Sequence, residues 1–137
     1  MKYRLNDEKF FADVTDNIAI IIDVQSGIYY GLNEVTTNVY ENIVNGVDTD
    51  ELLAKLSEIE GFNDEVRARY VNFVNDLIKN EMILIDTNTN SEVNINFNKF
   101  EYDENELMLV EYPDASELLL ADPIHQVKSD TGWKPNK

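Results

Sequence analysis

The sequence predicts an α+β domain: a three-stranded antiparallel sheet followed by three helices, with an extended C-terminal tail. Three observations lead there. The apolar runs of the first third are short, β-branched or aromatic, and separated by polar turns. Three later stretches repeat their apolar residues at helical spacing behind recognisable N-caps. Beyond residue 86 that helical period does not recur.

Phe10-Phe11-Ala12-Asp13-Val14 is long enough for a first strand. Ile18-Ala19-Ile20-Ile21-Ile22 and Ile28-Tyr29-Tyr30-Gly31-Leu32 supply two more, and Asp23-Val24-Gln25-Ser26-Gly27 between them ends in Gly, as hairpin loops do. Asn33 is placed as the N-cap of a first helix, with Val35, Val39, Tyr40 and Ile43 on its apolar stripe and Asn45-Gly46 as its stop. Asp48, three residues before Glu51, caps a second helix whose stripe is Leu52, Leu53, Leu56 and Ile59. Asn63 opens a third, with Asp64 and Glu65 favouring the positive end of the helix dipole. Val66, Tyr70, Phe73, Val74, Leu77 and Ile78 give that helix the clearest amphipathic pattern in the chain. Met82-Ile83-Leu84-Ile85 is a strand-like run that packs back on the core. Helices of about three turns beside small strands describe a winged helix-turn-helix-like arrangement over residues 1–86.

Residues 87–98 begin with Thr87-Asn88-Thr89-Asn90-Ser91 and continue with alternating Val93, Ile95 and Phe97, the pattern of a linker or an extra half-buried strand. Residues 99–137 mix acids with apolar patches. Leu118-Leu119-Leu120 and Trp133 are too apolar to stay in water, so the tail is expected to dock, with Trp133 as an anchor.

Charge and composition exclude whole classes of function. The 137 residues carry 27 acids against 11 bases, a formal charge of −16. Residues 1–90 hold 7 bases and 17 acids, and residues 91–137 hold 4 and 10, so neither part offers phosphates a basic face. The third helix carries three bases against three acids, which argues against a winged-helix regulator bound to DNA. The same charge repels anionic membrane surfaces, and the longest apolar run, five residues, is far short of the roughly 18 that a span requires. No apolar segment follows Met1–Glu8, so no secretory signal is expected and the cytoplasm is the default compartment.

No catalytic centre is expected either. The absence of cysteine removes disulfides, thiolate metal sites and thiol nucleophiles. The single histidine, His125, has no serine elbow to serve and no ligand partners at metal spacing. The glycines are scattered, with no phosphate-cradling loop. Asp86-x-Asn88-x-Asn90 opens like a calcium loop, but the sixth position is Ser91 instead of Gly and the twelfth is Phe97 instead of Glu. No catalytic residue, metal or cofactor is therefore assigned. Tyr29-Tyr30 read as strand aromatics, and Arg67 and Arg69 flank the stripe of the third helix as two of the few bases.

Residues 10–86 resemble the PqqD family of peptide-recognition elements from ribosomally made, post-translationally modified peptide pathways. The likeness lies in Asp23-Val24-Gln25-Ser26-Gly27-Ile28-Tyr29-Tyr30-Gly31-Leu32-Asn33 with the helix after it, in Gly46-Val47-Asp48-Thr49-Asp50-Glu51-Leu52, and in a third helix ending Leu77-Ile78-Lys79-Asn80-Glu81-Met82-Ile83. The resemblance implies a non-catalytic module. The leader of a precursor peptide would add as a strand to the third strand, in a groove walled by the third helix, and be presented to a modifying enzyme such as a radical-SAM protein. Carried over by position, the edge is Ile28, Tyr29 and Tyr30. The wall is the outward side of Arg67–Ile78, with Arg67, Tyr70, Val71, Val74 and Ile78 as nominees. The tail lies outside the family's minimal domain and is a candidate occupant of that groove. The alternative is a structural or interaction subunit that binds no leader, and whether two chains pair as a homodimer by strand exchange stays open.

Overall fold

A computed structural model describes residues 1–112. Within them the architecture is α+β: three helices, a four-stranded antiparallel sheet and a separate two-stranded ribbon. The ribbon pairs β1 (Tyr3–Leu5) with β5 (Ile83–Ile85). The predicted meander is present as β2 (Phe10–Thr15), β3 (Ile18–Asp23) and β4 (Tyr29–Leu32). Asp16 and Asn17 turn the first hairpin with both φ angles positive, the left-handed geometry that matches strand twist and that Asp and Asn tolerate best among non-glycines. At the second turn Asp23 accepts the amides of Gln25 and Ser26, and Gly27 takes φ +79°.

The helices begin at the predicted caps. Asn33 caps α1 (Glu34–Val44), Asp48 caps α2 (Thr49–Leu56) and Asn63 caps α3 (Asp64–Lys79), each side chain accepting an otherwise orphaned backbone N–H. The inner face of the sheet packs Ala19, Ile21, Tyr30 and Leu32 against Val39 and Ile43 of α1. Leu52, Leu56, Val66, Phe73, Leu77 and Met82 close the core behind them.

Of the last described residues, 87–98 settle as a linker, and the rest depart from expectation in how far the core reaches and in the size of the sheet. Residues 87–98 join no sheet; 93–97 run extended across α1. Nor does residue 86 end the packing unit, because Phe100 and Leu107 belong to the same core as the helices. The sheet also has a fourth strand, β6 (Val110–Tyr112), which pairs antiparallel with β4 and makes the strand order β2-β3-β4-β6. Leu118, Leu119, Leu120 and Trp133, nominated for docking, lie outside the described residues, as does His125.

Candidate functional site

The edge of β4 is the place the sequence nominated for an added strand, and in this structure an added strand occupies it. Tyr29 faces Tyr112, Tyr30 faces Glu111 and Gly31 faces Val110. The same register runs across the whole sheet, so Phe11, Ile22, Tyr29 and Tyr112 form one cross-strand row on its outer face. Within that row the rings of Tyr29 and Tyr112 stack with centroids 4.8 Å apart and planes 11° from parallel. Gly31 lies in the neighbouring row, opposite Val110, where the missing side chain leaves room for whatever strand comes alongside. Tyr29 and Tyr30 are both buried. Ile28 sits half-buried just before the strand, its carbonyl accepting from the Asp23 amide that closes the turn.

The chain reaches this edge along a track built by polar side chains of α1 and α3. The first stretch is held by two buried asparagines on one face of α1. The Asn42 amide nitrogen donates to the Asn94 carbonyl (3.1 Å) while its oxygen accepts the Asn94 N–H (2.8 Å). Asn38 repeats the pattern, donating to the Asn94 carbonyl and accepting the Asn96 N–H at 3.0 Å each. The two amides thus do the work of a neighbouring strand, and they read only backbone; the side chains of Asn94 and Asn96 point to solvent.

The second stretch turns at the α2–α3 connection. Phe100 donates its N–H to the Glu60 carbonyl and packs edge-on to Phe97 and tilted against Phe62. The carboxylate of Glu106, 2% exposed, folds back to accept the amides of Glu101 and Tyr102. Arg69 of α3 donates to the carbonyls of Asp103 and Glu106, both at 3.0 Å. Thr36, in the first turn of α1, donates to the cap residue Asn33 and accepts the Leu107 N–H at 2.7 Å. Leu107 is 1% exposed and holds φ at +58°, a left-handed backbone that a branched residue keeps only when its surroundings impose it. After it the chain straightens into β6.

The nominees for the groove wall do not share one outward face of α3. Tyr70 turns inward instead: it is 2% exposed and donates its hydroxyl to the Thr49 carbonyl at 2.7 Å. Val74, at 9%, also belongs to the core. Val71 and Ile78 are exposed, at 44% and 41%, on the side of α3 away from the β4 edge track. At 100° per residue they lie about 200° and 180° around α3 from Arg69, the residue that touches the track. Val71, together with Tyr70 and Val74, lines a cleft of about 160 Å³ between α2 and α3, closed on the other side by Thr49, Asp50 and Leu53. Arg67 lies over the ring of Phe62, 5.2 Å from its centroid. The amphipathic pattern of α3 located the core stripe at Val66, Tyr70, Phe73, Val74 and Leu77 and departed from it at Ile78, which is exposed.

The residues that sequence reasoning missed are Asn38, Asn42 and Thr36, while Arg69 was noted beside Arg67 without being placed at the edge. A signal for the first two was present: polar residues four apart, interleaved with the apolar stripe Val35, Val39 and Ile43, are out of place on a core-facing helix unless something polar docks there.

Burial pushes the Tyr40 phenol up to about 12, with the neighbouring Glu41 charge adding to the effect. Tyr70 is pushed up further, by burial first and then by Asp50 and Asp48. For Tyr30 burial leads and the Glu111 charge, delivered by β6, is next, both raising it. Burial alone would raise Asp23, but the Gln25 and Ser26 hydrogen bonds and the Lys9 charge outweigh it and hold the carboxyl below its ordinary range.

Among the described residues no three His, Asp or Glu side chains converge to hold a metal ion, and no helix is long and apolar enough to cross a membrane. A polar cleft of about 380 Å³ lies beside the asparagine ladder, lined by Glu41, Asn45, Ser91 and Glu92 among others.

No family model matches the chain, and no curated protein matches it. Among solved structures, one described as TbiB1 in complex with the TbiA(beta) leader peptide is similar at 20% identity and a TM-score of 0.49. The match covers 61% of this chain and 99% of that one.

Proposed function

We propose that this chain is a non-catalytic peptide-binding module that takes the leader of a ribosomally made precursor peptide as an added strand on β4 and presents it to a modifying enzyme, such as a radical-SAM protein. One observation carries the reading. Residues 110–112 already add to β4 as an antiparallel strand, so this edge has the twist, register and clearance that an extended peptide needs. An open edge leaves backbone N–H and C=O groups unpaired. An added strand satisfies them, while neighbouring side chains select what it carries. The selecting groups are the Tyr29 ring and the space over Gly31, while the Thr36 hydroxyl and the Arg69 guanidinium hold the backbone of residues 103–107 beside the edge. Arg67, over the Phe62 ring, and Tyr70, Val71 and Val74, along the α2–α3 cleft, stay nominees for contacts beyond that edge.

The test is a titration of labelled leader peptide, encoded by the precursor gene beside this one, with a DNA duplex in parallel at low salt. Affinity between micromolar and tens of nanomolar is expected, about −8 to −10 kcal/mol. Amide shifts on binding should concentrate at Tyr29–Leu32. Tight duplex binding with no peptide signal would reject the proposal.

A further inference from the structure

We infer that residues 108–112 are a built-in stand-in for the peptide ligand: a short, displaceable strand that occupies the β4 edge until a peptide of the same side-chain pattern replaces it. The inference rests on the strand-addition reading above and adds two things to it, the chemistry of the ligand and the way the site is regulated.

The track divides into an anchor and a gate. Phe100, Glu106 and Leu107 are buried, and Arg69 and Thr36 bind the backbone beside them. After Leu107 the grip weakens. Met108 and Glu111 are exposed, Leu109 and Val110 are half-buried, and Tyr112 keeps 38% of its surface in water. Among the described residues β6 spans Val110–Tyr112, where it pairs through its backbone with β4 and stacks Tyr112 on Tyr29. Residues 108–112 can therefore leave the edge with only the half-buried Leu109 lifting off the core, and Leu107 is the fixed point from which they swing. What they uncover is the backbone edge of Tyr29–Leu32.

The stand-in also shows what the edge selects. Side chains on one face of an added strand lie two residues apart, and here that face presents Val110 over Gly31 and Tyr112 over Tyr29. A ligand of this site carries an aliphatic residue and, two positions on, an aromatic one. The intervening residue, Glu111 here, is exposed and left unselected.

Tethering makes the stand-in effective despite its length. A short flexible tether gives an effective concentration of about 1 mM, so a segment that bound in trans at about 100 µM would close the site about tenfold in cis.

Gly31 and Val110 are directly opposed, and opposed residues of an antiparallel pair fall within disulfide reach. A Cβ at residue 31 meets only the Tyr112 ring, at 3.5 Å, which is ordinary contact. Because the chain has no cysteine, Gly31→Cys with Val110→Cys in the full chain places the only two thiols there and locks the gate reversibly. An opened form comes from Val110→Pro with Glu111→Pro. Successive N–H groups of a strand point to opposite sides, so replacing both removes at least one donor that faces β4. Tyr112→Ala is a milder opening should the double proline disturb the fold, which circular dichroism and the melting temperature would reveal. The probe is a fluorescein-labelled peptide of residues 105–112, followed by anisotropy up to about 1 mM.

The opened form should bind the probe at least fivefold more tightly than the unaltered chain. The oxidised lock should show no binding, and reduction should restore it. Equal binding by locked, reduced and unaltered chains would overturn the inference, because the peptide would then attach elsewhere, for instance at the outer edge of β6. If the folded, opened form binds the precursor leader but not this probe, the stand-in idea fails and strand addition stands. If it binds neither, both fall.

Discussion

Asn42→Ala should detach residues 93–97 from α1 at a cost of about 2 kcal/mol. The Asn42 amide is buried and makes three bonds: its nitrogen donates to the carbonyls of Asn38 (2.8 Å) and Asn94 (3.1 Å), and its oxygen accepts the Asn94 N–H (2.8 Å). At about 1 kcal/mol net per bond the loss is about 3 kcal/mol. Alanine is the better helix former and returns about 0.6 kcal/mol. Asn94 lies at the surface, where water can take over its freed groups, which keeps the penalty near the lower end. For a domain of this size about 2 kcal/mol lowers the melting temperature by roughly 7 °C. Urea denaturation followed by circular dichroism measures the first number, and hydrogen exchange at the Asn94 and Asn96 amides shows where the loss occurs. Asn94→Ala is the control: only the backbone of Asn94 is held, so its truncation should change stability by less than about 0.5 kcal/mol. Because Asn38 and Asn42 both donate to the Asn94 carbonyl, their alanine variants should not add. An Asn42→Ala cost below about 0.5 kcal/mol, with unchanged exchange at Asn94 and Asn96, would refute the ladder as a structural element.

Val74→Asp should destabilise the whole domain by about 3 kcal/mol, because the carboxylate would enter the core without a partner; a thermal melt checks this. Gly46→Ala should cost about 2 kcal/mol or more, since residue 46 holds φ +93° and a Cβ there would overlap the Thr89 side chain; Thr89→Gly should return part of it in a double-mutant cycle. Thr89→Val should be neutral or stabilising, because among the described residues the Thr89 hydroxyl is buried with no hydrogen-bond partner. Alkali should unfold the protein from pH 10 upward. A buried tyrosine binds its proton more tightly folded than unfolded, so its contribution is complete below pH 10 and is lost as the pH climbs towards about 12, by about 1.4 kcal/mol at pH 11 from Tyr40 alone. Tyr70 is raised further and adds to the loss, and denaturant midpoints at pH 8, 10 and 11 follow it.

Local signals carried most of the fold. Asn33, Asp48 and Asn63 mark helix starts because a short polar side chain beside an apolar run has one favourable place to go, onto the orphaned amides of the first turn. The strands were legible for a similar reason, since β-branched and aromatic runs between polar turns have few other uses. The fourth strand was not legible. Val110-Glu111-Tyr112 has no intrinsic need to pair with Tyr29–Leu32, some 80 positions earlier; the pairing depends on where Leu107 is pinned, and that depends on Thr36. The placing of Tyr70 was ambiguous for a different reason. Its period in α3 is unambiguous, but a period marks one stripe and does not say whether that stripe meets the core or a groove. Burial decides, and burial is a property of the assembled fold.

The manner in which residues 91–112 are held bears on what else the surface can hold. Asn38, Asn42, Thr36 and Arg69 all bind backbone amides or carbonyls of this segment. Such contacts set direction and register while carrying no information about sequence. Sequence enters at the positions whose side chains are buried or stacked, Phe100, Leu107 and Tyr112. Charge works against the docking: the segment is acidic, and so is the surface it lies on. Attraction between net charges is thus excluded as the cause, and backbone hydrogen bonds with three apolar anchors must carry it against repulsion. Salt screens such repulsion over about 8 Å at physiological ionic strength, so the docked state should tighten as salt is added, opposite to the response of a chain held by ion pairs. Exchange at the Val110 and Tyr112 amides, measured at 10 mM and 200 mM salt, should slow at the higher value. Faster exchange would mean that an ion pair, and not the backbone track, holds the strand in place.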